Sequence, residues 1–226
     1  MPEATAPSSR SRVRRHPERA SYEARLVEAI LDEAMICHLG FIAEGVPYVV
    51  PTMYARAGDQ VYIHGSPASR MLLTAAGAAD VCLTITLLDG LVMARSAFHH
   101  SMNYRSVMIL GRAREVLDPV EKLTAFERLV EHVCQGRWEE VRQPSDKELN
   151  STKVLALRLQ EASVKLRGGG PNVPEVDEGV SVWAGEIPLR TVALRPAGED
   201  QPAGPAGSHI VNYSRPGWTA PPDPPG

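Results

Sequence analysis

Between residues 35 and 116 the apolar positions recur every second residue in short runs, separated by polar Gly-containing dipeptides. The runs at 35–43, 47–55, 60–64, 80–88, 91–94 and 104–116 are alternating or β-branched, which predicts strands. Glu44-Gly45, Gly58-Asp59 and Asp89-Gly90 lie between runs and predict hairpin turns, because Gly and Asp tolerate positive φ. Residues 153–166 alternate through Leu155, Leu157 and Leu159 and predict one long further strand. Helical spacing appears in only a few places. Ser21 is placed to cap a helix whose Leu26, Ile30 and Ala34 share a face with Val27 and Leu31. Asp118, Pro119 and Glu121 form the start of a second helix with Leu123, Phe126, Leu129, Val130 and Val133 as its stripe and Gly136 as its stop. Ser145 and Glu148 start a third in the same way. Hairpin-linked strands with few helices predict an antiparallel barrel rather than a doubly wound sheet.

The pattern fades at both ends. Residues 1–20 mix Pro, Ser and Arg with no apolar period, and residues 196–226 are dominated by Pro and Gly, so both are expected to be disordered tails around one folded domain at 21–195. Arg14-Arg15 is followed by His16-Pro17 instead of a hydrophobic run, which argues against a twin-arginine export signal. No apolar stretch is long enough to span a bilayer, so the expected location is the cytoplasm, away from membranes. With Lys+Arg 24 against Asp+Glu 27 the net charge is −3, and no global field favours nucleic acid. Cys37, Cys82 and Cys134 are far apart and odd in number, which predicts free thiols, mostly buried.

The chemistry-bearing motifs are few. The chain has no G-x-G-x-x-G, P-loop, G-x-S-x-G or H-E-x-x-H pattern, and its only histidine doublet, His99-His100, diverges on either a strand or a helix, so no metal site is expected. Two segments are dense in phosphate-friendly groups. In Tyr62-Ile63-His64-Gly65-Ser66-Pro67-Ala68-Ser69-Arg70 a strand runs through a turn into a helix start, where Ser66, Ser69, Arg70 and backbone N–H groups can converge on an anion. An ordinary capped turn, with Ser69 as N-cap, fits the same residues. In Asn103-Tyr104-Arg105-Ser106-Val107, alternation puts Arg105, Val107 and Ile109 on one face and Tyr104, Ser106 and Met108 on the other. An anion clamp built on Arg105 and Ser106 and a plain barrel rim are both compatible with that spacing.

Pro51-Thr52-Met53-Tyr54, the H-G-S-x-x-S-R run from His64 to Arg70, Asn103-Tyr104-Arg105-Ser106-Val107 with Gly111, and Val182-Trp183-Ala184-Gly185-Glu186-Ile187-Pro188 together resemble the pyridoxamine 5′-phosphate oxidase-related flavin-nucleotide-binding proteins. That group also includes the nitroimidazole-resistance reductases. The resemblance covers residues 21–195 and implies a mainly β, six-stranded antiparallel split barrel that forms a homodimer with FMN at the interface. It also implies that Gly65, Ser66, Ser69 and Arg70 belong to the cofactor site, with Ser69 and Arg70 holding the FMN phosphate, assisted by Arg105 and Ser106, in one shared hollow. The backbone around Thr52, Met53 and Tyr54, and around Ile63 and His64, would lie along the isoalloxazine edge, and Trp183 would cover the ring from the partner subunit. The chain lacks the Arg-rich C-terminal substrate signature of the true oxidases, so pyridoxal phosphate synthesis is not implied. The expected activity is electron transfer from NAD(P)H or another donor to a small acceptor. A flavin carrier without turnover, or a barrel that uses F420 or haem with His99 or His100 as axial ligand, are the alternatives.

Overall fold

The computed structural model describes residues 5–77, 79–198 and 207–218. In chain order the elements are Ala20–Ser21 (β1), Ala24–Glu33 (α1), Ile36–Ala43 (β2), Val46–Ala57 (β3), Gln60–Gly65 (β4), Arg70–Ala76 (α2), Asp80–Met93 (β5), Ser101–Arg112 (β6), Arg114–Glu115 (β7), Pro119–Val133 (α3), Asp146–Asn150 (α4), Lys153–Arg158 (β8), Ala162–Arg167 (β9), Gly185–Pro188 (β10) and Ser208–Val211 (α5). The strands join in the order β1-β9-β6-β5-β2-β3-β4-β8-β7, with β10 on β5, and every pair is antiparallel. The sheet has ten strands rather than six, because short edge pieces extend the long ones. Strands β8 and β9 are consecutive in sequence but far apart in this order, so the sheet curls round almost to closure. At the seam the Leu110 N–H of β6 donates to the carbonyl of Glu161, between β8 and β9.

Alternation decides what lies inside. Cys37, Leu39 and Phe41 of β2, Leu83 and Ile85 of β5, and Val107 and Ile109 of β6 point into one core, and Val27, Ile30 and Leu31 of α1 and Met71, Leu72 and Ala75 of α2 fill it from above and below. A second, smaller core lies on the outer side of β4 and β8, where Tyr62, Val154 and Ala156 meet Ala125 and Phe126 of α3. The Asp118 carboxylate caps α3 by accepting from the Glu121 N–H at 2.9 Å, and Ser145 and Glu148 form a complete capping box on α4.

Three local expectations are corrected. Asp89-Gly90 is not a hairpin turn: β5 runs straight through it with a bulge between Leu88 and Gly90. The glycine is there for close approach, since an added Cβ at Gly90 would stand 3.1 Å from the Ile187 carbonyl of β10. Residues 153–166 are two strands, not one, with the break at 159–161, where the Leu159 N–H donates to Asp59. Helix α1 begins at Ala24 with Glu23 as N-cap, and Ser21 instead joins β1, its hydroxyl accepting from the Glu23 N–H at 3.3 Å.

Composition predicted no packing at either end, yet the described parts of both are held by specific bonds. The hydroxyls of Ser8 and Ser11 donate to the Glu161 carboxylate at 2.6 and 2.9 Å. At the other end, residues 213–218 lie as a strap across the C-termini of α1 and α3. The Arg215 guanidinium donates to the carbonyls of Asp32 (2.8 Å), Glu33 (3.1 Å), Ala34 (3.2 Å) and His132, and the Tyr213 hydroxyl donates to the Val133 carbonyl. Beneath it His132 is pushed down to about 4 by burial and then by the Arg215 charge. The unfolded chain therefore takes up a proton on this imidazole at higher pH than the native fold does, so stability should fall as pH drops from about 6.5 towards 4. Denaturation midpoints at pH 7 and pH 5 test this, and His132→Gln should flatten the slope; an equal slope in both proteins would remove His132 as its source. No helix among the described residues is long and apolar enough to cross a membrane.

Candidate functional site

Strand β3 changes partners halfway. Residues Val46 to Met53 pair with β2, and Tyr54 to Ala57 pair with β4. The second side of the first half thus has no strand on it among the described residues, and the barrel is split there. Pro47 and Pro51 fall in this half, where a missing N–H costs no ladder bond. They are the sequence signal for an open edge that strand alternation alone does not give. Thr52 and Met53 sit at the end of that edge, half-buried, and Gly65 and Ser66 continue from the neighbouring β4.

The residues around the split have distinct surroundings. Ser66 accepts from the Ala68 N–H through its hydroxyl, and its carbonyl accepts from the Ser69 N–H. Ser69 is the N-cap of α2 but its side chain makes no capping bond, which leaves the hydroxyl available. Arg70 is exposed and seated on Tyr48: Nη1 donates to the Tyr48 hydroxyl at 3.1 Å, and Cζ lies 4.6 Å from the ring centroid. Tyr48 stacks in turn on Phe41, with 5.5 Å between centroids. Helix α2 has only seven residues, so these side chains, rather than a helix dipole, would carry any anion affinity. An added Cβ at Gly65 would come within 3.1 Å of Leu72 Cδ1, so this glycine lets α2 close against β4.

Two of the residues expected along the ring edge have their side chains in the core, which leaves only their backbone for that edge. The Tyr54 side chain is fully buried in the core, and its hydroxyl donates to the Leu31 carbonyl at 2.6 Å; only its backbone lies by the split. Ile63 is likewise a core residue. His64 faces the α3 side of β4, with Phe126 at 6.2 Å between ring centroids. Its Nδ1 is buried with no hydrogen-bond partner, and burial lowers its pKa, so the imidazole is neutral near pH 7.

The two halves of the expected anion clamp do not share a hollow within one chain. Register places Arg70, through Tyr48, at one end of the barrel and Arg105 about six residues of strand away at the other, on the order of 20 Å. Arg105 points inward and Ser106 outward, so they cannot grip one anion, and the Ser106 hydroxyl donates to the Lys165 carbonyl at 3.1 Å. The Arg105 guanidinium is already engaged on both sides, donating to Asp89 at 2.7 and 3.0 Å and to Glu33 at 2.8 Å. Those bonds raise its pKa further. Asp89 is the extra residue of the β5 bulge, which aims it at Arg105. Glu33 and Asp89 are therefore the residues that motif reading missed, and the Asp-Gly pair, taken as a turn, was their signal. Trp183 is 65% exposed ahead of β10, and the Cβ of any residue replacing Gly185 would come within 2.8 Å of its ring. His99 lies in a short 3-10 turn beside Phe98, and His100 Nδ1 is 3.0 Å from the Ser96 carbonyl. The thiols are unpaired, and burial raises all three, Cys37 to about 12. Among the described residues no cluster of His, Cys, Asp and Glu could hold a metal.

Comparison with known proteins agrees with this architecture. A comparison with curated proteins returns no match. Among solved structures, the chain is similar to the flavocytochrome Anf3 from Azotobacter vinelandii, with 41% identity, a TM-score of 0.88, and 95% of this chain and 100% of that one covered. It is also similar to the FAD and heme binding protein from Mycobacterium smegmatis, with 30% identity, a TM-score of 0.82, and 87% and 98% covered. A protein of Bacteroides thetaiotaomicron described as a 5-nitroimidazole antibiotic resistance protein shares the fold at 24% identity and a TM-score of 0.55, over 65% of this chain and 85% of that one. The family described as pyridoxamine 5′-phosphate oxidase matches residues 23–166. With an antiparallel sheet split at β3 and that family's pattern across most of the folded chain, this protein belongs to the pyridoxamine 5′-phosphate oxidase family.

Proposed function

We propose that the protein is a flavin-dependent redox protein whose flavin lies along the open edge of β3. The observation that carries this reading is the split itself: Thr52 and Met53 pair with β2 on one side only, and their open side lies by a turn with a free Ser69 hydroxyl and the Tyr48-seated Arg70. Backbone groups along that edge can hydrogen-bond the ring and tune it, while hydride and electron transfer are the flavin's own chemistry. Ser69 and Arg70 hold the ribityl phosphate, which FMN and FAD share, so this half of the site accepts either. FMN is the cofactor implied by the motifs, and the relative named for FAD makes the dinucleotide its competitor. A second copy of the chain closes the cleft. The outer face of the sheet presents Ile36 (54% exposed), Ile42 (62%) and Val49 (67%) in adjoining rows, an apolar surface suited to an isologous dimer that also brings one copy's Trp183 towards the other's flavin. NAD(P)H as donor and a small quinone or nitroaromatic as acceptor complete the reading, with the cytoplasm as its place of action.

The visible spectrum of the purified protein tests it. Flavin bands are expected, and the mass of the cofactor released by heat separates FMN from FAD; a colourless protein that takes up neither in titration would end the proposal. Arg70→Ala should weaken flavin binding by about 1.5–3 kcal/mol, the scale of a hydrogen bond to a charged group. Unchanged affinity would take Arg70 out of the site. Rapid mixing with NADPH separates a reductase, which bleaches, from a carrier, which does not.

A second reading adds haem to the flavin. Two relatives are named as a flavocytochrome and as a FAD and heme binding protein, and His64 supports the same for this chain, since it keeps a buried ring nitrogen without a partner. His64 rather than the His99-His100 doublet would be the axial ligand. A Soret band that His64→Ala removes while the flavin bands remain is the expected result, and a Soret band untouched by that substitution would rule His64 out.

A further inference from the structure

At the Arg105 end of the barrel is a chamber of about 600 Å³ that has no β3 residue in its lining and to which the flavin reading gives no role. Glu33, Asp89 and Arg105 form its polar wall, Leu87 and Leu189 its apolar side, Arg190 part of its rim and Trp218 part of its lining. Its size falls within the range of small-molecule sites. Because two carboxylates enclose one guanidinium, the wall carries one net negative charge and offers further lone pairs on the carboxylate oxygens. It should accept hydrogen bonds from an amine and repel an anion. Trp218 adds a flat aromatic surface, and Arg190 adds an exposed guanidinium able to meet a phosphate.

The strap fixes that aromatic surface in place. Arg215 is anchored on four carbonyls at the ends of α1 and α3, three residues before Trp218. Gly217, with φ +78°, lies directly against the Glu33 carboxylate, where any Cβ would overlap it. Both its backbone conformation and its contact require glycine.

A planar ring with an exocyclic amine and a phosphate arm matches this arrangement. We propose that the chamber binds the adenylate group of a nucleotide: the purine lies on Trp218, its amine donates to Asp89 or Glu33, and the phosphate rests on Arg190. Both a flavin dinucleotide and a pyridine dinucleotide carry that group. The proposal does not depend on the flavin at the split, because AMP contains no isoalloxazine.

The test is titration of the full chain with 5′-AMP after incubation with FMN, which has no adenylate to occupy the chamber; FMN uptake, read from its visible bands, reports on the split separately. Saturable AMP binding with quenching of tryptophan emission is expected. Trp218→Leu should remove the quenching and weaken AMP about tenfold, the low end of base–aromatic stacking. Arg190→Ala should weaken AMP about tenfold and leave adenosine unchanged, as loss of a phosphate contact requires. Displacement of AMP by NADPH alone identifies the pyridine dinucleotide as the source, and displacement by FAD alone the flavin. No saturable binding at millimolar AMP, binding indifferent to both substitutions, or displacement by neither dinucleotide would overturn the proposal.

Discussion

Arg105→Ala is expected to lower the unfolding free energy by about 3 kcal/mol at pH 7, the largest single effect outside the apolar core. In the native fold this guanidinium separates Glu33, whose side chain is 10% exposed, from Asp89, whose side chain is 33% exposed. Removing it leaves two facing carboxylates in partly desolvated surroundings with no counter-charge, and that uncompensated charge, more than the loss of the bonds themselves, is the cost. Arg105→Lys should recover only part of the loss, because an ammonium cannot bind two carboxylates bidentately at once. Denaturant unfolding of both proteins at pH 7 measures it, and an Arg105→Met variant that recovers the whole deficit would show that packing, not charge, is what Arg105 contributes.

The second large effect belongs to the strap. Arg215→Ala should cost about 2–3 kcal/mol and free residues 208–218 from the domain. Helices α1 and α3 end at Glu33 and Val133, and their last carbonyls have no intrahelical partners. One guanidinium serves both ends, with charge of the sign that helix C-termini favour. Its loss leaves those carbonyls to water that can reach them only if the strap lifts. Hydrogen exchange is the appropriate measurement: faster exchange should appear together in the strap and in the last turns of both helices. Release should also lift the downward pressure of the Arg215 charge on His132, so the variant should lose less stability between pH 7 and pH 5 than wild type does. Exchange unchanged in all three segments would mean that the strap is held by Tyr213 and Trp218 instead.

Much of this protein is set by local chemistry that the sequence displays. Period-two alternation fixes which residues of β2, β5 and β6 line the core, because a one-residue slip would turn Leu39, Leu83 and Ile109 out to water. Asp118 and Ser145 mark helix starts because their side chains satisfy donors a few residues away. The segment from His64 to Arg70 stands out for the same reason: its hydroxyls, glycine and guanidinium are close in sequence and stay close in space.

Other features depend on chain segments far apart in sequence, and only the fold decides them. Asp89-Gly90 has the chemistry of a turn, but β10, about a hundred residues later, packs against Gly90, and the pair becomes a bulge that delivers Asp89 to Arg105. Arg105 and Arg70 look alike as anion ligands, yet one is neutralised by two carboxylates and the other rests on a tyrosine ring at the opposite barrel end. The C-terminal segment is too poor in apolar residues to predict a docked strap; its order comes from Arg215, which finds two helix ends at once, together with the Tyr213 hydroxyl on the Val133 carbonyl. Alternation and capping act over two to four residues and can be read along the chain, whereas the partner of a charge is chosen by whichever strands the barrel brings together.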